Sequence, residues 1–378
     1  KKEILTRDAL ELINDKDIDI VVELIGGKTV AFDYIIHAIK NKKAVITANK
    51  ALLAEKGGEI FALAARYKVP IGFEASVCGG IPVIRAVKEG LVANKITSIM
   101  GILNGTSNYI MTKMAEEAKP FKDVLKDAQR LGFAEQDPTY DIEGIDAAHK
   151  LCILINLSFG CKISLNDITI KGISGIEPVD IEFAREFGYK IKLLAIARKQ
   201  GGQLEARVEP AMIPVSHPLS SVGDVFNAVY IVGDRVGPTM FYGRGAGSEP
   251  TGSAVVSDIV DIGLKIAARA ELDTFTGLKF NKSIKIREAE KGFVPFYLRF
   301  IAQDKPGVLS QESGVLAKYS ISISTVIQKG RKENGYVPIV MLTHEAIEGD
   351  LKKAIVEIDK LPFIKGESIC IRIEEGLN

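Results

Sequence analysis

The chain has 378 residues, of which 47% are hydrophobic and 26% charged, and its formal net charge is +1 at pH 7. This composition is typical of a globular protein of two or three domains and excludes a disordered or collagen-like chain. It also gives no global attraction for nucleic acid, and no apolar stretch reaches the ~18 residues of a membrane span.

Short apolar strands alternate with helices in the first segment. Strands are predicted at 19–24, 44–47 and 69–73, and helices at 31–42 and 51–68. This alternation predicts βαβ units and a parallel sheet with right-handed crossovers. Ligands bind beyond the carboxyl ends of such strands. The topology therefore brings five residues to one edge of the sheet: Gly26, Gly27, Asn49, Lys50 and Glu74.

A dinucleotide-binding fold normally begins with a strand and a G-x-G-x-x-G turn. Here a polar helix at 6–15 comes first, and no such fingerprint precedes it. Two interpretations are open at this point. Either the first βαβ unit is missing from this chain, or the fold is a different one.

The pattern changes from about Ile84. Strands are predicted at 95–103, 230–232 and 239–242, with an antiparallel pair over 190–214, and a helix at 254–272 follows the glycine-rich residues 243–247. Residues 104–108 are interpreted as a polar loop, with a helix starting at Tyr109. This region is predicted to be an α+β domain with an open, mixed sheet.

The last segment follows a charged linker at 281–292. Its strands and helices come in the order βαββαβ, which is the ferredoxin-like pattern. Residues 304–309 (Asp-Lys-Pro-Gly-Val-Leu), between its first strand and first helix, resemble the motif of the ACT regulatory domain. A glycine there allows close backbone approach, and N–H groups at a helix start can hold an amino-acid carboxylate. The predicted effector residues are Asp304, Gly307, Val308 and Leu309. The alternative is a plain helix start, with Asp304 as its cap.

The densest polar cluster lies at 132–150. Its first part should be a loop through Asp141, because Asp137 precedes a proline, and a helix is predicted at 144–160. Asp146 and Lys150 are then one turn apart on the same face, with apolar residues behind them. An ordinary solvated ion pair, worth ~0.3–0.5 kcal/mol, is the alternative. His149 points away from Lys150 and is predicted to be structural.

Six motifs in order along the chain resemble the homoserine dehydrogenase family. They are Ala48-Asn-Lys50, Glu74-Ala-Ser-Val-Cys-Gly-Gly-Ile-Pro82, Asn104-Gly-Thr-Ser-Asn-Tyr-Ile110, Gly132-Phe-Ala-Glu-Gln-Asp-Pro138, Asp146-Ala-Ala-His-Lys150 and Gly243-Arg-Gly-Ala-Gly247. The resemblance covers almost the whole chain. It implies NAD(P)-dependent interconversion of L-homoserine and L-aspartate 4-semialdehyde in threonine, methionine and isoleucine biosynthesis.

The resemblance also implies an architecture. We expect an α/β protein with a partial Rossmann-type NAD(P)-binding domain at 1–82, a catalytic and dimerisation domain at 83–285 and an ACT domain at 293–378. The chain departs from the family in lacking the phosphate-binding fingerprint. We therefore expect that the first βαβ unit is missing and that the chain binds dinucleotide poorly. The cofactor implied by the resemblance is NADP or NAD.

Carried over residue by residue, the resemblance implies specific roles. Lys150 is the acid/base at the reacting oxygen, Glu135 binds the substrate amino group, and Lys50 lies near the nicotinamide. Further roles are support of substrate and lysine by Asp141 and Asp146, main-chain contacts to substrate from Gly105 and Thr106, and cofactor contacts from Gly26, Gly27, Asn49 and Gly247. A sodium site is expected at Glu74 with the carbonyls of Val77, Gly79 and Ile81, since hard oxygen ligands suit such an ion.

The expected partners are small molecules. Family members are dimers, so a homodimer or higher homo-oligomer is expected, with threonine as the hypothetical ACT effector and no nucleic-acid or membrane partner. Four cysteines without a C-x-x-C pair disfavour a zinc site or disulfide framework and predict a cytoplasmic protein. Two alternatives are another dehydrogenase acting on a different amino-acid-derived carbonyl, and a catalytically silent amino-acid sensor. The joint presence of Glu135, Asp146 and Lys150 opposes the second.

Overall fold

The computed structural model describes residues 5–268, 284–330 and 335–375. Its first unit is a three-stranded sheet in the order β1-β2-β3, with both pairs parallel. The elements are α1 (Ala9–Asn14), β1 (Ile20–Glu23), α2 (Thr29–Lys40), β2 (Ala44–Thr47), α3 (Lys50–Tyr67) and β3 (Ile71–Gly72). The central strand β2 is buried along its whole length, as expected for a parallel strand covered by helices on both faces.

The middle unit surrounds one buried helix. Its elements are α4 (Val83–Arg85), β4 (Ile96–Ile102), α5 (Gly105–Glu117), α6 (Phe121–Arg130), α7 (Thr139–Ile142), α8 (Ile145–Phe159), β5 (Thr169–Ile170), α9 (Pro178–Glu186), β6 (Tyr189–Gln200), β7 (Gln203–Pro214), β8 (Phe226–Gly233), β9 (Gly237–Arg244) and α10 (Ser248–Ala267). Helix α8 is buried over most of its length and packs between α3 and the sheet. Leu272, the predicted end of α10, lies outside the described residues.

In the C-terminal unit, the longer elements have the predicted βαββαβ order. The elements of this unit are β10 (Lys285–Ile286), β11 (Phe293–Val294), β12 (Phe296–Gln303), α11 (Val308–Lys318), β13 (Ile323–Gln328), β14 (Tyr336–Thr343), β15 (Ala346–Ile347), α12 (Glu348–Ile358) and β16 (Ile369–Ile373). The two-residue strands β10, β11 and β15 are additional to that order. Residues 281–283 of the predicted linker lie outside the described residues, and its later part includes β10, which pairs with β7. No helix in the described ranges is long and apolar enough to cross a membrane.

The sheets of the middle and C-terminal units are joined. Together they form one 11-stranded sheet whose main path is β13-β14-β12-β16-β7-β6-β4-β8-β9, with β5 and β10 also paired to β7. The connection is a parallel pairing of Arg372 with Ala211 and of Ile373 with Met212. The predicted fold class is confirmed, but the sequence pattern did not indicate that the two sheets are continuous.

A buried ion network crosses this connection. Arg207 on β7 lies 3.0 Å from Glu205 and 3.1 Å from Glu348 on α12. Arg372 on β16 lies 2.9 Å from Glu205 and also pairs with Glu374. All these side chains are buried. The C-terminal unit is therefore fixed to the middle unit by charged side chains that are almost fully buried.

Candidate active site

Helix α8 presents a carboxylate and an amino group to the first residue of α3. Lys150 Nζ lies 2.7 Å from Asp146 Oδ2, and these side chains are 8% and 4% exposed. The other carboxylate oxygen of Asp146 lies 2.6 Å from Nζ of Lys50, which is 40% exposed. The structure thus brings the three predicted catalytic residues together, with Lys50 on the solvent side and Lys150 behind the carboxylate.

The protonation states follow from this arrangement. Burial alone would raise the pKa of Asp146, but the ammonium groups of Lys150 and Lys50 outweigh it and lower that pKa. Burial alone would lower the pKa of Lys150, but Asp146 in particular outweighs it and raises the pKa above its usual value. Lys150 Nζ also donates to the carbonyl of Leu103 at 2.7 Å. At neutral pH the site therefore holds a protonated lysine with a fixed direction.

Asn104 connects two carboxylates of the site and was missed as a site residue. Its Nδ2 donates to Asp141 Oδ1 at 2.7 Å and to Asp146 Oδ2 at 2.9 Å. Its Oδ1 accepts from the N–H of Ser107 at 2.8 Å, which makes it the N-cap of α5. The predicted loop at 104–108 is therefore wrong, because α5 begins at Gly105. The preference of Asn for N-caps is the pattern that could have found it.

The residues predicted to bind substrate lie at the start of α5 or on segments that contact it. Among the described residues, the amides of Gly105 and Thr106 have no hydrogen-bond acceptor, as expected for a helix N-terminus. Thr106 Oγ1 donates to the carbonyl of Phe133 at 2.8 Å, which ties α5 to the loop that carries the exposed Glu135. Asp141 is half-buried and lies on α7 rather than in a loop.

The carboxyl ends of β1 and β2 form the predicted edge. Gly26 and Gly27 both have positive φ, and a Cβ at either position would meet open space. Asn49 Nδ2 donates to the carbonyl of Gly27 at 2.7 Å, and Asn49 Oδ1 caps α3 at the residue before Lys50. An edge with open backbone and an adjacent ammonium group fits a nicotinamide dinucleotide.

Glu23 and Thr47 also hold this edge in place, although their sequence pattern did not indicate a role. Glu23 at the end of β1 accepts from Thr47 Oγ1 at 2.7 Å, and from the N–H groups of Ile25 and Gly26 at 3.0 and 3.2 Å. Glu23 thereby fixes the turn after β1 and links it to β2.

In the predicted sodium site, the carboxylate of Glu74 already accepts two backbone hydrogen bonds. Both side-chain oxygens of Glu74 accept backbone N–H groups at the start of α4, from Ile84 and Arg85, each at 2.8 Å. Burial raises the pKa of this carboxyl, against those hydrogen bonds. The carbonyl of Glu74 accepts only a long hydrogen bond, from the N–H of Val77 at 3.4 Å, and the carbonyl of Ile81 accepts the N–H of Val83 at 2.7 Å. Each of these two carbonyl oxygens keeps a lone pair for a cation. Among the described residues, the carbonyls of Val77 and Gly79 accept no hydrogen bond. This donor set fits a hard monovalent cation.

The loop at 77–81 packs against the glycine-rich residues 243–247. Gly79 has φ of +45°, and a Cβ there would lie 2.8 Å from the carbonyl oxygen of Gly245. Gly247, with φ of +114°, is the N-cap of α10. Within the described ranges, no group of three or more His, Cys, Asp and Glu side chains could hold a metal ion.

His149 on α8 is predicted to be structural, and its surroundings agree with this. His149 is buried, its Nδ1 lies 3.0 Å from the carbonyl of Ile145, and its ring stacks on Tyr140, so it packs as expected for a structural residue.

Asp304 is not the cap of α11. The N-cap is Gly307, with φ of +89°, while Asp304 accepts from Gln328 Nε2 at 3.3 Å. Val308 is buried, and Leu309 is exposed.

Comparison with known proteins agrees with this geometry. The family model for the NAD-binding domain of homoserine dehydrogenase matches residues 1–74, that for homoserine dehydrogenase itself matches 82–260, and that for the ACT domain matches 296–363. A homoserine dehydrogenase of Neisseria gonorrhoeae is 45% identical over 97% of this chain and 85% of its own. This chain belongs to the homoserine dehydrogenase family.

Other members of the homoserine dehydrogenase family are similarly close. The protein of Bacillus subtilis is 41% identical over 99% of this chain and 86% of its own. A solved homoserine dehydrogenase of Thiobacillus denitrificans is 44% identical, with a TM-score of 0.91 over 99% of this chain and 86% of that one. The predicted family is therefore confirmed, and the protein is an NAD(P)-dependent oxidoreductase with a C-terminal ACT domain.

Proposed function

We propose that this chain interconverts L-homoserine and L-aspartate 4-semialdehyde with Lys150 as the group that gives and takes the proton at the reacting oxygen. Bound NAD(P)(H) supplies or accepts the hydride. The observation that supports the role of Lys150 is its buried ammonium, held by Asp146 and the carbonyl of Leu103 at 2.7 Å each.

The direction of proton transfer follows from the charge around Lys150. In aldehyde reduction, negative charge develops on the carbonyl oxygen, and a protonated Lys150 donates to it. In homoserine oxidation, Lys150 must first lose its proton and then accept one from the hydroxyl. Asp146 raises the pKa of Lys150, so neutral pH favours the donor form. Oxidation is therefore favoured at alkaline pH.

The substrate is a zwitterion, and the site has partners for both of its charges. The unpaired amides of Gly105 and Thr106 suit the carboxylate, because a helix N-terminus attracts anions. Glu135 carries the opposite charge on the neighbouring loop and takes the ammonium group. Asp141 is held by Asn104 and supports the substrate from the side of α7. We assign the cofactor contacts to Gly26, Gly27, Asn49, Lys50 and Gly247.

A monovalent cation, with sodium as the expected ion, is proposed at the carbonyls of Glu74, Val77, Gly79 and Ile81. We assign the carbonyl of Glu74 to the ligand set rather than its carboxylate, because both carboxylate oxygens already accept N–H groups at the start of α4. The cation would stabilise the contact between residues 77–81 and the glycine-rich residues 243–247. Activity should then depend on sodium or potassium and should fall when both are replaced by a bulky organic cation.

The finer organisation is also proposed. We divide the chain into a cofactor-binding domain at 1–82, a catalytic domain at 83–285 and an ACT domain at 293–378. We propose that the protein is a cytoplasmic homodimer or higher homo-oligomer. Threonine is proposed to bind at Asp304, Gly307, Val308 and Leu309 and to inhibit the enzyme.

One assay tests the main proposal. Oxidation of NADPH and of NADH is followed with L-aspartate 4-semialdehyde, with and without threonine, for the native chain and Lys150→Ala. Semialdehyde-dependent turnover that Lys150→Ala abolishes supports the proposal. Because the chain is expected to bind dinucleotide poorly, the cofactor is raised to saturation. Absence of turnover under that condition would favour the silent sensor, and turnover only with other carbonyl compounds would favour a different dehydrogenase.

A further inference from the structure

Asn227 lies beside the active site and has no role in the function proposed above. It is the second residue of β8 and is 1% exposed. Its Nδ2 donates to the carbonyl of Leu103 at 2.8 Å, and this is the same oxygen that accepts from Lys150 Nζ at 2.7 Å. One carbonyl oxygen therefore receives both the lysine and the asparagine, one on each lone pair.

The orientation of the Asn227 amide is fixed by this chemistry. If the amide were turned over, its Oδ1 would face the Leu103 oxygen, and two acceptors would oppose each other without a proton between them. In the observed orientation, Nδ2 also lies 3.7 Å from the thiol sulfur of Cys78. Among the described residues, Oδ1 has no hydrogen-bond partner, so the amide keeps one buried polar atom unsatisfied.

The surroundings of Asn227 are backbone loops of the site. A Cβ on Gly245 would lie 2.0 Å from Nδ2, so only glycine fits against the amide there. A Cβ on Gly105 would lie 3.6 Å from Oδ1. With Cys78, these contacts connect the loops at 77–81, 103–105 and 243–247. All three loops carry residues assigned above to cation, substrate or cofactor.

We propose that Asn227 is a positioning residue that holds the Leu103 carbonyl in place as an acceptor for the Lys150 ammonium and keeps the three surrounding loops in register. This inference rests on the proposed role of Lys150. Without the second hydrogen bond, the peptide plane of Leu103 can rotate, and the ammonium loses one of its two fixed partners. Misplacement of a catalytic group by about 1 Å can cost about 100-fold in rate.

The test uses Asn227→Ala and Asn227→Asp in the full chain. Asn227→Ala should lower kcat by about 10- to 100-fold with KM for the semialdehyde changed little. In Asn227→Asp, a protonated carboxyl can donate to Leu103 whereas an ionised one cannot. That variant should therefore keep more activity at low pH and lose it as the pH rises, while Asn227→Ala stays low throughout. A purely structural role would not separate the two pH profiles.

Asn156→Ala is the matched control. Asn156 is also buried and contacts a thiol, with Nδ2 at 3.9 Å from the sulfur of Cys152, and it lies on the same helix as Lys150. It does not contact Leu103, so its loss should reduce thermal stability and leave kcat unchanged.

Three results would overturn the inference. They are a native kcat in Asn227→Ala, parallel pH profiles for the two Asn227 variants, and an equal loss of kcat in Asn156→Ala. Lys150→Ala is measured in parallel. If that variant is inactive while Asn227→Ala is native, only the inference on Asn227 fails. If Lys150→Ala turns over normally, the proposed function fails as well.

Discussion

Lys150 and Asp146, one helical turn apart on α8, form an ion pair that is almost closed to solvent. A pair at this spacing on a helix surface is common and worth only ~0.3–0.5 kcal/mol. Here the apolar residues that follow Lys150 pack in the core, so α8 is buried and the ion pair is buried with it. Burial makes each charge dependent on the other, since a lone buried charge is strongly unfavourable.

Replacement of Lys150 should remove the proton donor, while Lys50 and Asn104 remain as partners for the buried Asp146. Lys150→Ala is expected to lower kcat by ~10²–10⁴-fold, the usual contribution of general acid–base catalysis, with little change in KM. Steady-state NADPH oxidation with the semialdehyde measures both constants. Thermal unfolding of the variant provides the folding control. Near-normal turnover in a folded variant would remove Lys150 from the mechanism.

The pH dependence should report the same lysine. The pKa of Lys150 is raised, so homoserine oxidation should increase as the pH rises from about 7 to about 10, towards the lysine pKa. Asp146→Asn removes the charge that raises this pKa, so the oxidation profile should move to lower pH. The measurement is kcat/KM for homoserine against pH. A profile that is identical in the native chain and Asp146→Asn would contradict the assignment.

Asn104 should affect stability and activity through different atoms. Asn104→Ser keeps an N-cap oxygen for α5 but loses the amide donor to Asp141 and Asp146. Loss of hydrogen bonds to charged groups, at ~1.5–3 kcal/mol, corresponds to a decrease of about 10- to 100-fold in kcat/KM. Asn104→Ala should lose the same activity and also ~0.5–2 kcal/mol of stability. If serine restored activity, the bridging role would be wrong.

The outline of the site could be predicted from the sequence because it depends on short-range patterns. Parallel strands fix which residues meet at the carboxyl edge, and helical spacing places Asp146 with Lys150. Asn104 was missed because a cap residue resembles a loop residue until the helix start is known. The joined sheet could not be predicted, since Ala211 and Arg372 pair across a long stretch of chain with no local pattern. Alternating charges at Glu205, Arg207 and Glu209 usually indicate a solvated strand face, yet here they are buried.

Glu312 on α11 should make stability depend on pH. It is fully buried, both its oxygens lack a hydrogen-bond partner among the described residues, and burial raises its pKa to about 7 from 4.5. The folded state therefore retains a proton that the unfolded chain has released, and stability falls as the pH rises from 4.5 to about 7.

Glu312→Leu should therefore stabilise the protein by about 1–3 kcal/mol above pH 7, with a smaller gain in acid. Urea unfolding, once below pH 4.5 and once above pH 7, measures the change in the free energy of unfolding at each pH. Gln311→Leu, an exposed neighbour on the same helix, is the control and should change little. An equal gain at both pH values would show that ionisation of Glu312 is not the cause.

The buried ion network should be costly to break. Arg207→Ala leaves Glu209 without its arginine partner, while Glu205 and Glu348 keep Arg372. The variant is expected to destabilise the fold by ~3–5 kcal/mol. Arg185→Ala, an exposed arginine on α9, should change stability by less than ~0.5 kcal/mol. Denaturant unfolding compares the two. Similar small effects would mean that the charges at this connection are solvated.

The pairing of β16 with β7 has a consequence for the exchange of the C-terminal ACT domain with that of another protein. Strand β7 is paired through β6 to β4, and β4 ends just before Leu103 and Asn104. A ligand that changes the tilt of the C-terminal strands would therefore bend the same sheet that positions the Leu103 carbonyl, the acceptor for Lys150. A chimera that replaces only the residues after 295 would lose the hydrogen bonds between β16 and β7 and the ion pairs of Arg207 and Arg372. A stable chimera therefore also needs β7 and its salt-bridge partners from the same parent protein.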